Sequence, residues 1–501
     1  MERIRCSGLE NRICSADAAA ALLQDGMTVA VSGFTPAGCP KAVPAALAEQ
    51  VRGGRKVRLT LLSGASTGPE IDSAWAELGI ITRRYPYITS KPFRDAVNRG
   101  PEEIAYADLH LGMTAQNARY GFFGDIDYAV VEAAAVTEDG SIVPTTAVGC
   151  TQTYVSLAKK VIVEINRTQP EALEGLHDIY PVADPPLRAP IPLTSAGQRI
   201  GGTAIPCPPE KIAAVVYSDV SEKPRAFAPA DETSRRIAGH IVDFLKAEAA
   251  AGRLSAGDVP LQSGVGSVAN AVLLGLKDSD FTGLRFYSEV IQDGIIELMD
   301  CGKAAMASGT SLSLSEDGMR HFFANIGAYR DKIILRDSEI SNNAEVIRRL
   351  GVISMNTAIE ADIYGNINSS HMYGTDVYNG IGGSGDYARN ASVTIFMTAS
   401  TAKGGKISGI VPMVSHTDHT EHDVDVLVTE QGLADLRGRS PKERARLIIE
   451  HCAHPDYRPL LEEYFEKACR MTGNAQTPHL LGECFDFHRR FLETGTMRKE
   501  S

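Results

Sequence analysis

Short apolar runs that alternate with longer helical patterns along all 501 residues constrain this chain more than any other feature. A short strand followed by an amphipathic stretch and another short strand returns through a crossover, and that connection sets neighbouring strands parallel. Strands are expected at Val29–Ser32, Val57–Leu62, Tyr128–Glu132, Val161–Ile165, Ile212–Val216, Val352–Met355, Ser392–Met397 and Val424–Val428. Helices are expected at Ala42–Arg52, Ser234–Ala251, Val268–Leu276, Asn343–Leu350 and Pro441–Cys452, the second announced by Asp231-Glu232-Thr233. The fold class is therefore α/β with largely parallel sheets.

The length exceeds one ordinary core, so at least two domains are expected. From about 166 to 230 the sequence turns Pro-rich and irregular, with Asp184-Pro185-Pro186 and Cys207-Pro208-Pro209. The boundary belongs there, dividing the chain into residues 1–225 and 226–501. The halves echo each other: Ala129-Val130-Val131-Glu132-Ala133 runs toward Asp139-Gly140-Ser141-Ile142, and Met355-Asn356-Thr357-Ala358-Ile359-Glu360-Ala361 toward Tyr364-Gly365-Asn366-Ile367. Each reads as a strand pair joined by a tight turn. A duplicated α/β domain with ligand sites near the seam explains the echo; two unrelated β-turns are the bland alternative.

Apolar residues at 44% and charged residues at 22% describe a soluble globular chain, and the formal charge of −12 is carried without a basic stripe. Nucleic acid is therefore a poor partner, and an anionic substrate has to be met locally in a cleft. The cysteines show no CxxC spacing and read as reduced thiols. No apolar signal core follows Met1, and no run of about 18 apolar residues occurs, so a cytoplasmic, unanchored protein is expected.

The sharpest local anomaly is Phe286-Tyr287-Ser288-Glu289-Val290, where a strand-like run closes on a carboxylate. Strand ends carry the sites of α/β folds, although a Glu there is more often a plain hydrogen-bonding residue. Three glycine-rich loops accompany it. Ser263-Gly264-Val265-Gly266-Ser267 opens a helix, Gly380-Ile381-Gly382-Gly383-Ser384-Gly385-Asp386 concentrates backbone N–H groups, and Ser32-Gly33-Phe34 begins the first-half counterpart. None matches the dinucleotide or P-loop fingerprints. His416-Thr417-Asp418-His419-Thr420-Glu421-His422 suggests a metal, but no second His cluster supplies further ligands, so a hydrogen-bonded loop is expected and no metal. Thr429-Glu430-Gln431-Gly432 places another carboxylate at a strand end, with a solvent salt bridge to Arg437 as its bland reading.

Together Ser32-Gly33-Phe34, Leu62-Ser63-Gly64-Ala65-Ser66, Pro260-Leu261-Gln262-Ser263-Gly264-Val265-Gly266, Tyr287-Ser288-Glu289-Val290, Ile340-Ser341-Asn342-Asn343, Asn379-Gly380-Ile381-Gly382-Gly383-Ser384-Gly385-Asp386 and Val428-Thr429-Glu430-Gln431-Gly432 resemble, in order, the motifs of class I CoA-transferases. The likeness is greatest to the acetyl-CoA hydrolase/transferase group, within it to succinyl-CoA:acetate CoA-transferases. It implies two tandem CoA-transferase domains with the active site at their interface, in a homodimer.

It also implies that Glu289 is the nucleophile, that Val265 and Gly383 offer oxyanion N–H donors, and that Asn342 and Glu430 support the reacting groups. CoA contacts are implied at Gly264, Val265, Gly266, Ser267, Val268, Asn379, Gly383 and Lys403. CoA is then a substrate and no cofactor is needed. The expected reaction moves CoA from succinyl-CoA to acetate through a glutamyl-CoA thioester. An acyl-CoA hydrolase with the same Glu, a propionyl-CoA:succinate CoA-transferase and a non-catalytic acyl-CoA sensor are the alternatives. Ser267 stands where this group often has Asn, and Arg119-Tyr120-Gly121 where an Asn-Tyr-Gly form is usual, which leaves the preferred acid open. The arginine that the resemblance leads one to expect near residue 223 is not placed, because Glu222, Lys223 and Arg225 all lie in an irregular segment. As a carboxylate, Glu289 is expected to be an anion at neutral pH that needs no general base.

Overall fold

The computed structural model describes residues 3–223, 230–254 and 259–499, so the boundary expected at residue 225, and Arg225 itself, lie outside the described residues. The chain forms two compact units, Met1–Ala226 with Arg285–Leu350, and Phe227–Leu284 with Gly351–Ser501. The segment 285–350 thus returns to the first unit, a feature for which the sequence shows no change of composition.

In the first unit parallel strands lie in the order Ala105–Tyr106, Ile81–Tyr85, Leu59–Leu62, Thr28–Val31, Tyr128–Val136, Lys160–Asn166 and Ile212–Ser218. Ile142–Pro144 pairs antiparallel with Tyr128–Val136. The order reverses between Thr28–Val31 and Tyr128–Val136, and loops leaving such a point frame a crevice. Here the loops close on each other. A Cβ on Gly64 or on Gly149 would lie 2.5 Å from the Gly33 carbonyl oxygen, which explains why the motif position Gly64, and Gly149 beside it, are glycine.

The returning segment carries Leu284–Tyr287, Ala304–Gly309 and Ile333–Arg336, with His177–Asp178 added at the edge. Ala304–Gly309 and Ile333–Arg336 pair in parallel, as do Ile333–Arg336 and His177–Asp178. Arg336 is fully buried, donating from Nε to Ser308 Oγ at 2.7 Å and pairing with Asp178.

The second unit orders its strands Gly432–Asp435, Val426–Thr429, Val393–Met397, Ile353–Thr357 and Leu261–Ser263, all parallel except the first. Helix Pro441–Cys452 begins at Ser440, whose capping box with Glu443 satisfies amides that the first turn leaves open. Its Ile448 and Ile449 join Leu461 and Phe465 of helix Arg458–Met471 over Phe396 and Leu427 of the sheet. Helix Glu232–Ala250 starts where Asp231 accepts the Ser234 N–H at 2.7 Å, as the acidic run suggested.

Both echoed segments are hairpins. Tyr128–Val136 turns through Gly140, at φ +87°, into Ile142–Pro144; Glu360–Asp362 turns through Gly365, at φ +97°, into Ile367–Asn368. Each first strand buries its glutamate. Glu132 meets Lys41, Thr145 and Asn166, whereas Glu360 accepts from His488 Nε2 at 2.8 Å and from Asn368 and Ser415.

Candidate active site

Glu289 sits at the bend between strands Leu284–Tyr287 and Val290–Ile291. The bend is pinned by backbone bonds: Ser288 N–H donates to Ser308 O at 2.9 Å, and the Glu289 carbonyl accepts Thr310 N–H at 2.7 Å and Ser311 N–H at 3.1 Å. A Cβ on Gly309 would press to 3.2 Å on that same carbonyl, so the neighbouring strand approaches this closely only because it ends in glycine.

The half-buried Glu289 carboxylate accepts one hydrogen bond from Asn342 Nδ2, at 2.7 Å to Oε1. Ser341 Oγ donates to Asn342 Oδ1 at 2.9 Å, which turns the amide so that its NH₂ faces Glu289. Burial pushes the Glu289 carboxyl up to about 7, and the Asn342 bond only partly opposes this. The expectation of a permanent anion is thereby corrected: near neutral pH the group is divided between acid and carboxylate, and the carboxylate it yields is more basic than that of a surface glutamate.

The helix Ser338–Ser341 that delivers Asn342 is itself held tightly. Asp337 caps it, accepting Glu339 N–H at 2.8 Å, and burial together with nearby Glu339 pushes the Asp337 carboxyl up to about 7. Glu339 takes Arg119 at 2.7 and 2.8 Å and Arg188 at 2.9 Å, and Arg119 also grips Asp184. Arg119 is thus committed to carboxylates of its own chain, and its departure from the Asn-Tyr-Gly pattern supplies a brace for this helix.

Glu289 and Asn342 belong to the first unit; residues 264–268, Asn379, Gly383, Lys403 and Glu430 belong to the second. Within the second unit, Gln262 fixes the loop 264–268 by a reciprocal amide pair with Asn356 and by accepting Met355 N–H at 2.9 Å. Gly264 N–H adds a bond to Met355 O at 3.0 Å, and Gly266, at φ +119°, starts the helix Ser267–Asp278. Val265 and Val268 are half-buried, and the Ser267 hydroxyl accepts Ser234 Oγ at 3.2 Å.

Asn379 donates its amide to Ser369 O at 2.7 Å, and Gly383 is buried at the start of the short helix Ser384–Ala388. Lys403, at φ +49°, is exposed with its ammonium 5.0 Å above the Phe491 ring. Glu430 ends strand Val426–Thr429 and is buried. Burial raises its carboxyl, but Ser400 N–H at 2.8 Å, the Ser400 hydroxyl and Gln431 outweigh that and hold it below the usual glutamate range. The solvent salt bridge to Arg437 is not formed; Arg437 pairs with Glu248 and Asp435.

Of the residues near 223, Lys223 pairs with Glu70 at 3.0 Å, while Glu222 accepts Gly38 N–H at 2.7 Å inside the first unit. Among the described residues no three His, Cys, Asp or Glu side chains converge in a way that could hold a metal. Ser341, Ser400 and the Arg119–Glu339 pair escaped the sequence reading. Ser341 alone carried a signal, since it directly precedes the motif asparagine.

A carboxylate of raised basicity at a strand end, steered by one amide, is suited to nucleophilic acyl-group chemistry. The acetyl-CoA hydrolase/transferase N-terminal domain model matches residues 3–217 and the corresponding C-terminal domain model residues 318–465. The chain belongs to the acetyl-CoA hydrolase/transferase family. It is 51% identical over 498 residues to a succinyl-CoA:acetate CoA-transferase of Clostridium kluyveri, covering 99% of this chain and 92% of that one. It is 43% identical over 518 residues to an acetyl-CoA hydrolase of Candida albicans, covering 100% and 98%. RipA of Yersinia pestis shares the fold at TM-score 0.73 and 21% identity, covering 93% of this chain and 98% of that one. A 4-hydroxybutyrate CoA-transferase of Porphyromonas gingivalis shares it at TM-score 0.64 and 22% identity, covering 91% and 98%.

Proposed function

We propose that this protein transfers CoA between an acyl-CoA and a small carboxylate, in the sense succinyl-CoA to acetate, through a covalent thioester on Glu289. The observation that carries the proposal is the Glu289 carboxyl, raised to about 7 by burial and directed by Asn342. The carboxylate attacks the acyl-CoA carbonyl; the C–S bond breaks, CoA thiolate leaves and a mixed anhydride remains. The thiolate then attacks the glutamyl carbonyl, releasing the first carboxylate and leaving glutamyl-CoA. The acceptor acid reverses both steps and departs as its CoA thioester, restoring Glu289.

Each addition makes a tetrahedral oxyanion, for which the N–H groups of Val265 and Gly383 are the proposed donors. The loop 264–268, Asn379 and Lys403 are the proposed CoA contacts, and Glu430, kept ionised by Ser400, orients the acyl end. CoA binding away from the reacting carbonyl supplies energy that is realised there. The reading includes a cytoplasmic homodimer and tandem family domains meeting near residue 225, and needs no cofactor.

The two relatives divide between a transferase and a hydrolase, and the greater identity lies with the transferase. Rates of thiol release from acetyl-CoA with and without succinate decide the matter. Transfer predicts succinyl-CoA formation with little free thiol; thiol release that is indifferent to succinate assigns the hydrolase.

Because attack requires the anion, kcat/KM for acyl-CoA should rise with pH through a midpoint near 7 and then level off. Asn342→Ala removes a bond that favours the anion, so its acid limb should move to higher pH. A flat profile between pH 5.5 and about 8 would contradict this assignment.

The same shift governs stability. The folded-state value lies above that of an exposed glutamate, so the protonated form fits the fold best; stability is full at acid pH and falls as pH rises through about 7. Glu289→Gln removes this cost and should stabilise the protein at pH 8 by on the order of 2–3 kcal/mol, with no gain near pH 4.5. Melting curves at the two pH values test it.

A further inference from the structure

The motif His416–His422 has no part in the reaction as proposed, yet two of its side chains reach the segments assigned to CoA. Its backbone is sewn to strand Ile367–Asn368, with His419 and Ile367 exchanging N–H···O bonds at 2.8 and 3.1 Å and Asp418 N–H reaching Ile367 O at 2.9 Å. From this anchor Asp418 turns toward the turn that follows the strand. It accepts Ser369 N–H at 2.7 Å and the Ser370 hydroxyl at 2.7 and 2.8 Å, and His416 stands 3.4 Å away. Ser369 O in turn accepts the Asn379 amide, and Ser370 O accepts Tyr378 N–H at 2.8 Å. One carboxylate therefore holds residues 369 and 370, and their carbonyls in turn hold Tyr378 and Asn379.

His419 points the other way. Its ring is fully buried against Phe396, centroids 4.8 Å apart, and its Nε2 lies 3.1 Å from Ser384 Oγ. Ser384 also bonds Ile381 O at 2.8 Å, and a carbonyl can only accept, so the hydroxyl proton goes to Ile381 and His419 donates from Nε2. This chain of bonds ties residues 381 and 384 together around Gly382 and Gly383 and fastens the resulting loop to a buried ring. The glycines of this loop have no side chains with which to hold their N–H groups in one direction, so the constraint has to come from neighbours such as Ser384 and from the ring to which Ser384 is bonded.

We propose that Asp418 and His419 are positioning residues: Asp418 sets the Asn379 turn for binding CoA, and His419 sets the Gly380–Asp386 loop so that the Gly383 N–H meets the oxyanion. The inference rests on the transfer reading given above, and it assigns to a histidine-rich motif the rigidity that the loop chemistry needs. Neither residue touches the reacting atoms. Loss of each should separate binding from turnover.

The test uses the full chain. His419→Leu keeps apolar volume beside Phe396 but removes the donor; kcat should fall roughly 10²-fold through misplacement of the N–H, with KM for acyl-CoA little changed. His419→Gln keeps an N–H at the Nε2 position and should restore most of the turnover. Asp418→Ala should weaken CoA binding, read by calorimetry with CoA itself, and raise KM more than it lowers kcat. Wild-type kcat in His419→Leu, or equal losses of turnover, binding and melting temperature in the Leu and Gln variants, would overturn the positioning role. Absence of acyl transfer in the wild-type protein would instead sink the transfer reading, which these comparisons between variants keep distinct.

Discussion

Glu289→Ala is expected to lose acyl transfer by roughly 10⁴-fold or more, while CoA still binds. Without the carboxylate no anhydride forms, and Asn342, the side chain bonded to it, is an amide and cannot take the role. Glu289→Asp is the more informative change. It preserves the carboxylate but withdraws it by one methylene from the place fixed by the Ser288, Thr310 and Ser311 backbone bonds. Misplacement on this scale at a reacting atom should cost about 10²-fold. If Glu289→Ala kept transfer between acids, another nucleophile would be at work. Initial rates with acetyl-CoA and succinate measure both variants.

The largest effect on stability is expected at Lys41. Its ammonium is buried against Glu132, and both side chains are almost wholly inaccessible. Glu132 also holds Thr145 and Asn166, while Glu164 accepts the N–H groups of Lys41, Ala42 and Val43 at the start of helix Ala42–Arg52. Glu222 completes the cluster, with its carboxyl raised by burial despite the attraction of Lys41. Lys41→Met leaves these carboxylates without their cation and should destabilise the first unit by about 3–5 kcal/mol. Pairing the change with Glu132→Gln should recover part of the loss, because one buried charge is then removed with its partner. Denaturant midpoints of the single and double variants test this. A Lys41→Met variant as stable as the parent would show that the cluster is neutral in the native state.

The same cluster adjoins the point where the strand order of the first unit reverses beside Thr28–Val31, the place where an open sheet ordinarily leaves a crevice. Ser32 Oγ accepts Glu132 N–H at 2.8 Å there and donates to Gly38 O at 2.7 Å, and Lys41 Nζ donates to Cys39 O at 2.8 Å. Glycine motifs in this half therefore reflect backbone crowding as much as ligand contact.

Strongly patterned elements were legible in the sequence. Helices Ala42–Arg52 and Pro441–Cys452 have the bounds expected of them, and strands Lys160–Asn166 and Ile212–Ser218 contain the runs expected at Val161–Ile165 and Ile212–Val216, which are mostly buried. Ile81–Tyr85 was missed because it contains Arg83 and Arg84; Arg84 is nonetheless fully buried, bonded to Ser63 Oγ at 2.6 Å and to Ala65 O at 2.9 Å. Ala304–Gly309 was missed because small residues carry little pattern. The return of residues 285–350 to the first unit leaves no local trace, since it depends on pairings such as His177 with Leu335, between residues far apart in the sequence.

At the site, motifs identified the residue types, and the structure supplies their physical condition. The Asn342 bond to Glu289 was expected only as a supporting role, and its geometry depends on Ser341. The raised Glu289 carboxyl had no sequence signal, because desolvation is a property of the whole surrounding packing. Likewise nothing in Arg119 announced that Glu339 and Asp184 would occupy it.

The central claim is a covalent thioester on Glu289, and intact-protein mass spectrometry after brief incubation with acetyl-CoA tests it most directly, followed by borohydride reduction and peptide mapping. The account predicts a CoA adduct that is discharged by added succinate and a reduction mark on the peptide carrying Glu289. A protein that binds CoA and exchanges acids with no adduct, or an adduct that maps to another residue, would contradict it.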